Sequence, residues 1–350
     1  MKDSNNPVMI KISVGQDKAR VVEFWNRNNN SDFDGIFEWM YSVNQSHNKI
    51  YYLTDSSQGS IIGLIGLSNR TFKIGDQNLH FGQTIHFLVD REYRNLIYAI
   101  RLQKALLEDC KKNDIKILYG FPLPAAIGVQ LRVGFRILGN FERWTKPLRV
   151  EYYLKKRMKN ELLVQLCSFI LNPLLKIISK DFIQFKSSDT TTMLGDKFNN
   201  QYDTLWEIAS KKFKIIGDRS AKYLDWRYNQ NPKNTCEVFS LFNKQNVLQG
   251  YIVFQIKDNI AIISDLLFDT VESLEAIFGE FFKIMRKRNM NAITIEFYGS
   301  ELVTKRLKKL HFYNRFSGGK IVLYTDDDII SDVNMTDKNE WFITRADCDI

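Results

Sequence analysis

Residues 84–134 constrain the fold more than any other stretch of this chain. They run TIHFLVDREYRNLIYAIRLQKALLEDCKK, then IKILYGFP, then a short segment ending in VGF. An apolar strand, an arginine-led turn, an amphipathic helix, a second strand and a Gly-Phe closure make one unit, because such a turn offers a row of backbone amides at a helix N-terminus, where a pyrophosphate binds. The helix expected over 96–112 sets Ala99, Leu102, Leu106 and Cys110 on one side and Arg101, Lys104, Glu108 and Lys111 on the other. One side packs and the other is wet. The strand 115–120 stops at Phe121-Pro122, since proline cannot donate to a ladder and restricts its neighbour. A short helix over 125–132, closed by Gly134, then leads into a strand over 135–140.

The remainder reads as support for that unit and as a partial copy of it. Residues 9–14 alternate as an opening strand, and Asp17 caps a helix to about 27. A second helix is expected over 32–45, with Ile36, Trp39, Met40 and Val43 on one face. Strands 50–54 and 60–67 pair as a hairpin across DSSQG, followed by strands 71–74 and 80–89. From 197 the pattern starts again: a helix at 202–212, strands at 237–242, 248–256 and 261–267, a helix at 271–288, a strand at 292–297, a helix at 301–310 and a strand at 320–324. The order strands, long helix, strand, short helix, strand therefore occurs twice, which points to two similar lobes.

Length agrees, because 350 residues exceed one ordinary core and fit two domains of about 150 residues. With 44% apolar and 25% charged residues the chain has the composition of a packed globular protein. The formal charge is +9, and residues 141–186, with ten Lys/Arg against four Asp/Glu, carry +6 of it. That balance permits phosphorylated, nucleic-acid or anionic-lipid partners. Within the segment, LLVQLCSFILNPLLKII is shorter than a membrane span and is interrupted by Gln165, Ser168, Asn172 and Pro173. It reads as a basic interdomain helical linker, with a helix lying on a membrane surface as the alternative. Residues 187–192, SSDTTT, read as a loop, and 326–350 as an acidic tail with eight Asp/Glu against Lys338 and Arg345. Four scattered cysteines form no CxxC pair, the four histidines share no HxxxH spacing with acids, and Gly63, Gly66 and Gly75 make no nucleotide fingerprint. No metal site is expected. The first residues lack an apolar signal core, so a cytoplasmic setting is expected, with the inner face of the membrane open through the linker.

At DREYRNLIYA, followed by ILYGFP and VGF, the first half resembles the GNAT acyltransferase superfamily, and the whole chain looks like the tandem GNAT proteins associated with bacterial polysaccharide assembly. RSAKYLDWRYNQNP, SDLLF and the closing WFITRADCD extend the resemblance through the second half. It implies an α/β (α+β) fold of two GNAT-like lobes, each a mixed, mostly antiparallel sheet flanked by helices: an N-terminal domain over 1–148, the linker over 149–192, a degenerate C-terminal domain over 193–325 and the tail over 326–350. It also implies acetyl-CoA or another acyl-CoA as co-substrate, held at a splayed strand around Phe87, Leu88 and Val89 and at the turn of Arg94, Asn95, Leu96, Ile97, Tyr98 and Ala99. Arg94 is the leading basic residue of the family's Arg/Gln-x-x-Gly-x-Gly/Ala motif, with Ile97 at the first glycine position and Ala99 at the last. A β-branched residue there is expected to weaken the phosphate cradle or narrow its entrance. Gln130 stands where many relatives place the tyrosine that protonates the CoA thiolate.

The implied activity is acyl transfer to an amine, by direct attack on the thioester, with a small-molecule or sugar-linked amine as acceptor. His86, beside the splayed strand, is the candidate general base, because an unperturbed imidazole, with a pKa near 6.5, is available to take a proton from an amine at neutral pH. A strand histidine bonded to its neighbour is the plainer alternative. Glu92 reads as a solvated turn carboxylate. Arg219, Trp226, Arg227 and Asp265 are candidates for an acceptor cleft, or equally for an ion pair and aromatic brace between domains. The second half lacks an arginine-glycine turn and places Asp269 and Glu272 at its helix start, where they repel a pyrophosphate. Two further readings stay open. One is a Fem-type aminoacyl-tRNA-dependent transferase whose basic linker meets RNA phosphates, although nucleic acid is otherwise not expected; the other is a catalytically degenerate scaffold. Arg143, Trp144, Lys146 and Arg149, with Lys155 to Arg157, read as a polyanion surface or, more plainly, as a solvated linker face.

Overall fold

The strand Lys49–Asp55 alternates its side chains between two different cores, and that alternation explains the first lobe. Tyr51 and Leu53 face the helix Leu96–Lys112 with Leu102 and Leu106, while Ile50 and Tyr52 face Val21 and Phe24 of the helix Lys18–Asn29 and Ile36 of the short helix Asp34–Phe37. A sheet covered on both faces needs strands that are apolar throughout, and residues 61–67 of the strand Ile61–Ile74 are all buried. The computed structural model describes residues 8–13, 17–29, 31–42, 48–56, 59–155, 157–179, 190–195, 197–315, 319–325 and 333–348.

The chain is a mixed α/β protein whose sheet is mostly antiparallel. In the first lobe Val8–Ser13, Lys49–Asp55, Ile61–Ile74 and Gln77–Val89 pair antiparallel in that order, and Ile117–Gly120 adds in parallel. In the second, Thr190–Gly195, Glu237–Asn243, Leu248–Lys257 and Ile260–Phe268 pair antiparallel, and Ala292–Gly299 adds in parallel. The helix Val271–Lys287 buries Leu274, Ile277, Phe278, Phe281, Phe282 and Met285 against that sheet, an i, i+3, i+4, i+7 stripe.

Chain order and spatial order part company at the ends of the two lobes. The strand Lys320–Thr325, which follows the second lobe in sequence, inserts between Ile117–Gly120 and Arg136–Asn140 of the first. The strand Glu142–Pro147, which follows the first lobe, lies between Ala292–Gly299 and Tyr313–Arg315 of the second. Each lobe thus completes its sheet with the other's strand. A second junction is made by Trp341–Ile343, which pairs with Ala292–Gly299 on one side and with Ile215–Gly217 on the other; Ile215–Gly217 in turn pairs with Ile61–Ile74. Gly299 lets this happen. Its φ of 146° suits only glycine, and a Cβ there would overlap the Trp341 carbonyl.

Several local expectations are corrected. Strands expected at 60–67 and 71–74 are one strand, because Ser68, Asn69 and Arg70 continue the ladder opposite Gln83, Gly82 and Phe81. The helix expected over 32–45 is α-helical only over Asp34–Phe37 and then widens into a π turn over Glu38–Ser42; 43–45 lie outside the described residues. Of the expected loop 187–192, residues 187–189 lie outside the described residues and 190–192 begin an edge strand on Glu237–Asn243. Residues 333–348, expected within an acidic tail, carry Trp341, Phe342, Ile343 and Ala346, all fully buried.

Candidate functional site

The strand Gln77–Val89 carries a bulge at the place where the unit 84–134 needs one. Leu88 pairs with Leu64 and Ile85 with Gly66, so His86 and Phe87 together stand opposite Ile65 alone. His86 takes a left-handed backbone, with φ of 51°. On its other edge the strand pairs with Ile117–Gly120 only from Phe81 to Thr84, and Phe121-Pro122 turns the neighbour away. Residues 85–89 therefore run on with an open backbone edge. The cavity in this fork has a volume of about 580 Å³.

Its walls come from five elements. Residues 84–89 form one side; Phe121, Pro122, Leu123 and the helix Pro124–Arg132, through Ala125, Ala126, Val129 and Gln130, form the other; Trp25 and Asn29 of the helix Lys18–Asn29 close the end; Arg94, Asn95, Leu96 and Ala99 stand at the helix Leu96–Lys112. Asn95 caps that helix, its side-chain oxygen accepting from the Tyr98 amide at 3.0 Å. The amides of Leu96 and Ile97 are first-turn donors without intrahelical partners, and Arg94 beside them is exposed.

Of the residues expected at the cofactor, Phe87, Leu88, Val89, Arg94, Asn95, Leu96 and Ala99 meet at this cavity. Ile97 and Tyr98 do not line it. Tyr98 is buried in the core beneath the helix, whereas Ile97 is 48% exposed and has an ordinary helical backbone. The expectation that Ile97 narrows the entrance is corrected accordingly: its side chain lies outside the cavity, and no unusual dihedral is demanded of it. Gln130 is buried, donates through Nε2 to Thr84 Oγ1 at 3.2 Å, and among the described residues has no partner at Oε1. An unpaired acceptor thus sits in the wall. Trp25, Asn29 and Thr84 were not singled out in the sequence; the first two come from a helix some sixty residues upstream, without a local signal.

His86 lines the cavity but does not suit a general base. It is boxed by Trp25 and Phe33 at ring distances of 5.1 and 4.9 Å, and its Nδ1 shares a hydrogen bond with Tyr41 Oη at 2.7 Å. Burial pushes its imidazole down to about 3, so it is neutral at physiological pH and a weak acceptor of an ammonium proton. Behind it lies a chamber of about 10 Å³ lined by His86, Gln83, Trp226 and Arg227, near the size that holds one water molecule. Gln83 Nε2 and Trp226 Nε1 have no hydrogen-bond partner among the described residues.

Of the two readings of Arg219 and Asp265, an acceptor cleft or a buried ion pair, the structure has the ion pair. Arg219 Nη2 lies 2.6 Å from Asp347 Oδ2 and its Nε 2.9 Å from Asp265 Oδ2, with all three side chains fully buried. Thr344 Oγ1 donates to Asp265 at 2.7 Å, and Arg70 stands 3.6 Å from Asp347. Burial alone would raise both carboxyls. At Asp347 the attraction of Arg219 and then Arg70 outweighs it and holds the group below its usual range, whereas Asp265 stays raised, with burial larger than the pull of Arg219. The second lobe repeats the bulge and the short parallel pairing, since Ile260–Phe268 meets Ala292–Gly299 only from Ile260 to Ile263. Beyond that short pairing the chain's own Thr344 reaches Asp265, and Asp347 reaches Arg219.

Trp226 and Arg227 brace the lobes. Trp226 stacks on Trp39 at 4.8 Å and its carbonyl accepts from Trp39 Nε1, while Arg227 Nη2 donates to the carbonyls of Arg345 and Cys348. Three of the cations considered for a polyanion are engaged as well, whereas Lys155 and Arg157 of that set are exposed. Arg143 pairs with Glu296 at 2.7 Å, Arg149 with Glu151 at 2.9 Å, and the buried Lys146 donates to the Leu310 carbonyl at 2.8 Å. Among the described residues no group of His, Cys, Asp and Glu is placed to hold a metal ion.

No family model matches the sequence, and no curated protein does. Solved structures do match. A conserved protein of unknown function from Enterococcus faecalis V583, described as a probable N-acyltransferase, superposes with a TM-score of 0.68 at 11% identity, over 91% of this chain and 73% of that one. A GCN5-related N-acetyltransferase from Anabaena variabilis gives 0.63 at 16% identity, over 90% and 72%. Saccharomyces cerevisiae N-myristoyltransferase with bound myristoyl-CoA gives 0.54 at 11% identity, over 92% and 85%. Across nine-tenths of its length, this chain has the fold of the GCN5-related N-acetyltransferases.

Proposed function

We propose that the first lobe is an acyl-CoA-dependent N-acyltransferase and that the second lobe supports it without a cofactor site of its own. The observation that carries this reading is the open edge of residues 85–89 facing a cavity of about 580 Å³, with Arg94 and Leu96, at the start of the helix Leu96–Lys112, in its wall. Those groups fit an acyl-CoA. Arg94 and the free amide of Leu96 would hold the pyrophosphate, the strand edge would take the amides of the pantetheine arm, and Val89, Ala99 and Val129 supply apolar wall. When bound, the thioester supplies an activated acyl carbonyl. The chain's part is positioning and exclusion of water, which by themselves account for large accelerations when two reactants are held in line.

The neutral His86, pinned by Tyr41, shapes the wall without adding charge, so the acceptor would react as a free amine: its nitrogen bonds to the acyl carbon, the C–S bond breaks, CoA leaves as the thiolate, and the proton lost from nitrogen reaches that thiolate through solvent. A small or sugar-linked amine as acceptor follows from the sequence resemblance. A thermal-shift titration with acetyl-CoA and with longer acyl-CoAs tests the reading. A ligand at a hundred times its dissociation constant stabilises by roughly 2.7 kcal/mol. The expected result is a shift that Arg94→Ala weakens; no shift with any acyl-CoA at millimolar concentration sinks the proposal.

A further inference from the structure

The helix Glu161–Ile178 is inside out for a surface helix. At about 100° per residue, Leu162, Leu166, Phe169, Ile170, Leu174 and Ile177 occupy one continuous arc of about 140°. All six are exposed; Phe169 is 81%, Leu162 76% and Ile177 71% accessible. The polar stripe, Gln165, Ser168, Asn172 and Lys176, runs along a different side, and part of it meets the protein. Ser168 is 4% exposed, and Asn172 accepts from the Val150 amide at 3.0 Å and donates to Glu151 at 2.8 Å. A helix that covers a soluble domain turns its apolar stripe inward; this one turns it outward, and a contiguous apolar patch of that kind marks a contact surface.

Charge says what covers it. Glu161 and Lys176 are the only ionisable side chains on the helix itself apart from Cys167, and the segment that leads into it carries exposed Lys155, Arg157 and Lys159. An apolar stripe with cations at its entry complements an anionic bilayer, into which such a helix sinks to the depth of the headgroup boundary. It does not complement a second copy of itself. Parallel pairing sets Lys155, Arg157 and Lys159 against the same cations, and antiparallel pairing sets them toward Lys176. Crossing the bilayer is a different matter: no helix among the described residues is long and apolar enough. We infer that the helix Glu161–Ile178 is a membrane-surface element that seats this protein on anionic lipid.

Vesicle flotation of the full chain tests this, with phosphatidylglycerol–phosphatidylcholine vesicles, pure phosphatidylcholine vesicles, and light scattering on the protein alone. The expected result is recovery with the anionic vesicles at least about tenfold above recovery with the zwitterionic ones, falling as salt is raised. A Phe169→Asp, Ile170→Asp double variant should lose the binding while keeping the wild-type unfolding midpoint, because both side chains are exposed. A Lys155→Glu, Arg157→Glu, Lys159→Glu variant should lose the preference for anionic lipid. Wild type that stays off anionic vesicles, or a double variant that binds as well as wild type, overturns the inference. So does a solution dimer that the double variant separates in a protein that ignores vesicles, which would assign the face to a second copy. None of these readouts depends on the acyl-CoA site.

Discussion

Asp347 Oδ2 and Arg219 Nη2 stand 2.6 Å apart with both side chains fully buried, so a carboxylate from the tail neutralises a guanidinium of the second lobe. Removing one partner of a buried pair strands the other charge in a low-dielectric interior. Asp347→Asn is expected to cost about 3–5 kcal/mol of unfolding free energy, read from the urea midpoint. A loss below about 1 kcal/mol, the size of a surface pair, would show that the cluster is far better solvated than its burial implies.

Gly299 carries the junction between tail and lobe, and any side chain there meets the Trp341 carbonyl. Gly299→Ala is expected to cost roughly 1–3 kcal/mol through backbone strain and to expose the amides of Trp341–Ile343 to hydrogen exchange first. Exchange that speeds up uniformly over the chain, and not at the tail, would contradict this.

His86 gives the protein an acid-sensitive step. Unfolded, its imidazole takes up a proton near pH 6.5; folded, it resists down to about 3. Between those values the unfolded state binds the extra proton, so stability falls as pH drops, by up to roughly 1.4 kcal/mol per unit from this group. His86→Asn, chosen because asparagine tolerates the left-handed backbone there, should flatten the stability profile from pH 6.5 to 4. An unchanged slope would show that His86 titrates normally.

The cavity offers a steric test independent of charge. Ala126 lines it and is partly exposed, so a larger side chain has room to be accommodated at the expense of the ligand. Ala126→Phe is expected to raise the acyl-CoA dissociation constant by about ten- to a hundredfold, the equivalent of 1–3 kcal/mol of overpacking. Calorimetric titration reads it, with the melting temperature as the control for folding.

What the sequence made legible was local. The helix expected over 96–112 is Leu96–Lys112, because its stripe and its Asn95 cap are written in adjacent residues. Arg94 and Phe87 to Val89 converge for the same reason. The fates of Arg219 and Asp265 were not legible, since an arginine and an aspartate forty-six positions apart look alike whether they face a substrate or each other. Asp347, which decides between the two, lies in a stretch whose charge count hides the apolar Trp-Phe-Ile at its centre. The exchanged strands were invisible as well: Glu142–Pro147 buries Trp144 and Lys146, two residues apart and so on one face, and nothing local says which lobe buries them.

The exchange of strands also sets a clock. A ribosome that has just finished Arg136–Asn140 has made almost all of the first lobe except the strand that belongs beside it, and Lys320–Thr325 is still about 180 codons away. At roughly 5–20 residues per second that gap lasts about 10–40 s. During it, the place between Ile117–Gly120 and Arg136–Asn140 waits for a strand encoded beyond the second lobe, so the first lobe is begun before the second and completed after it.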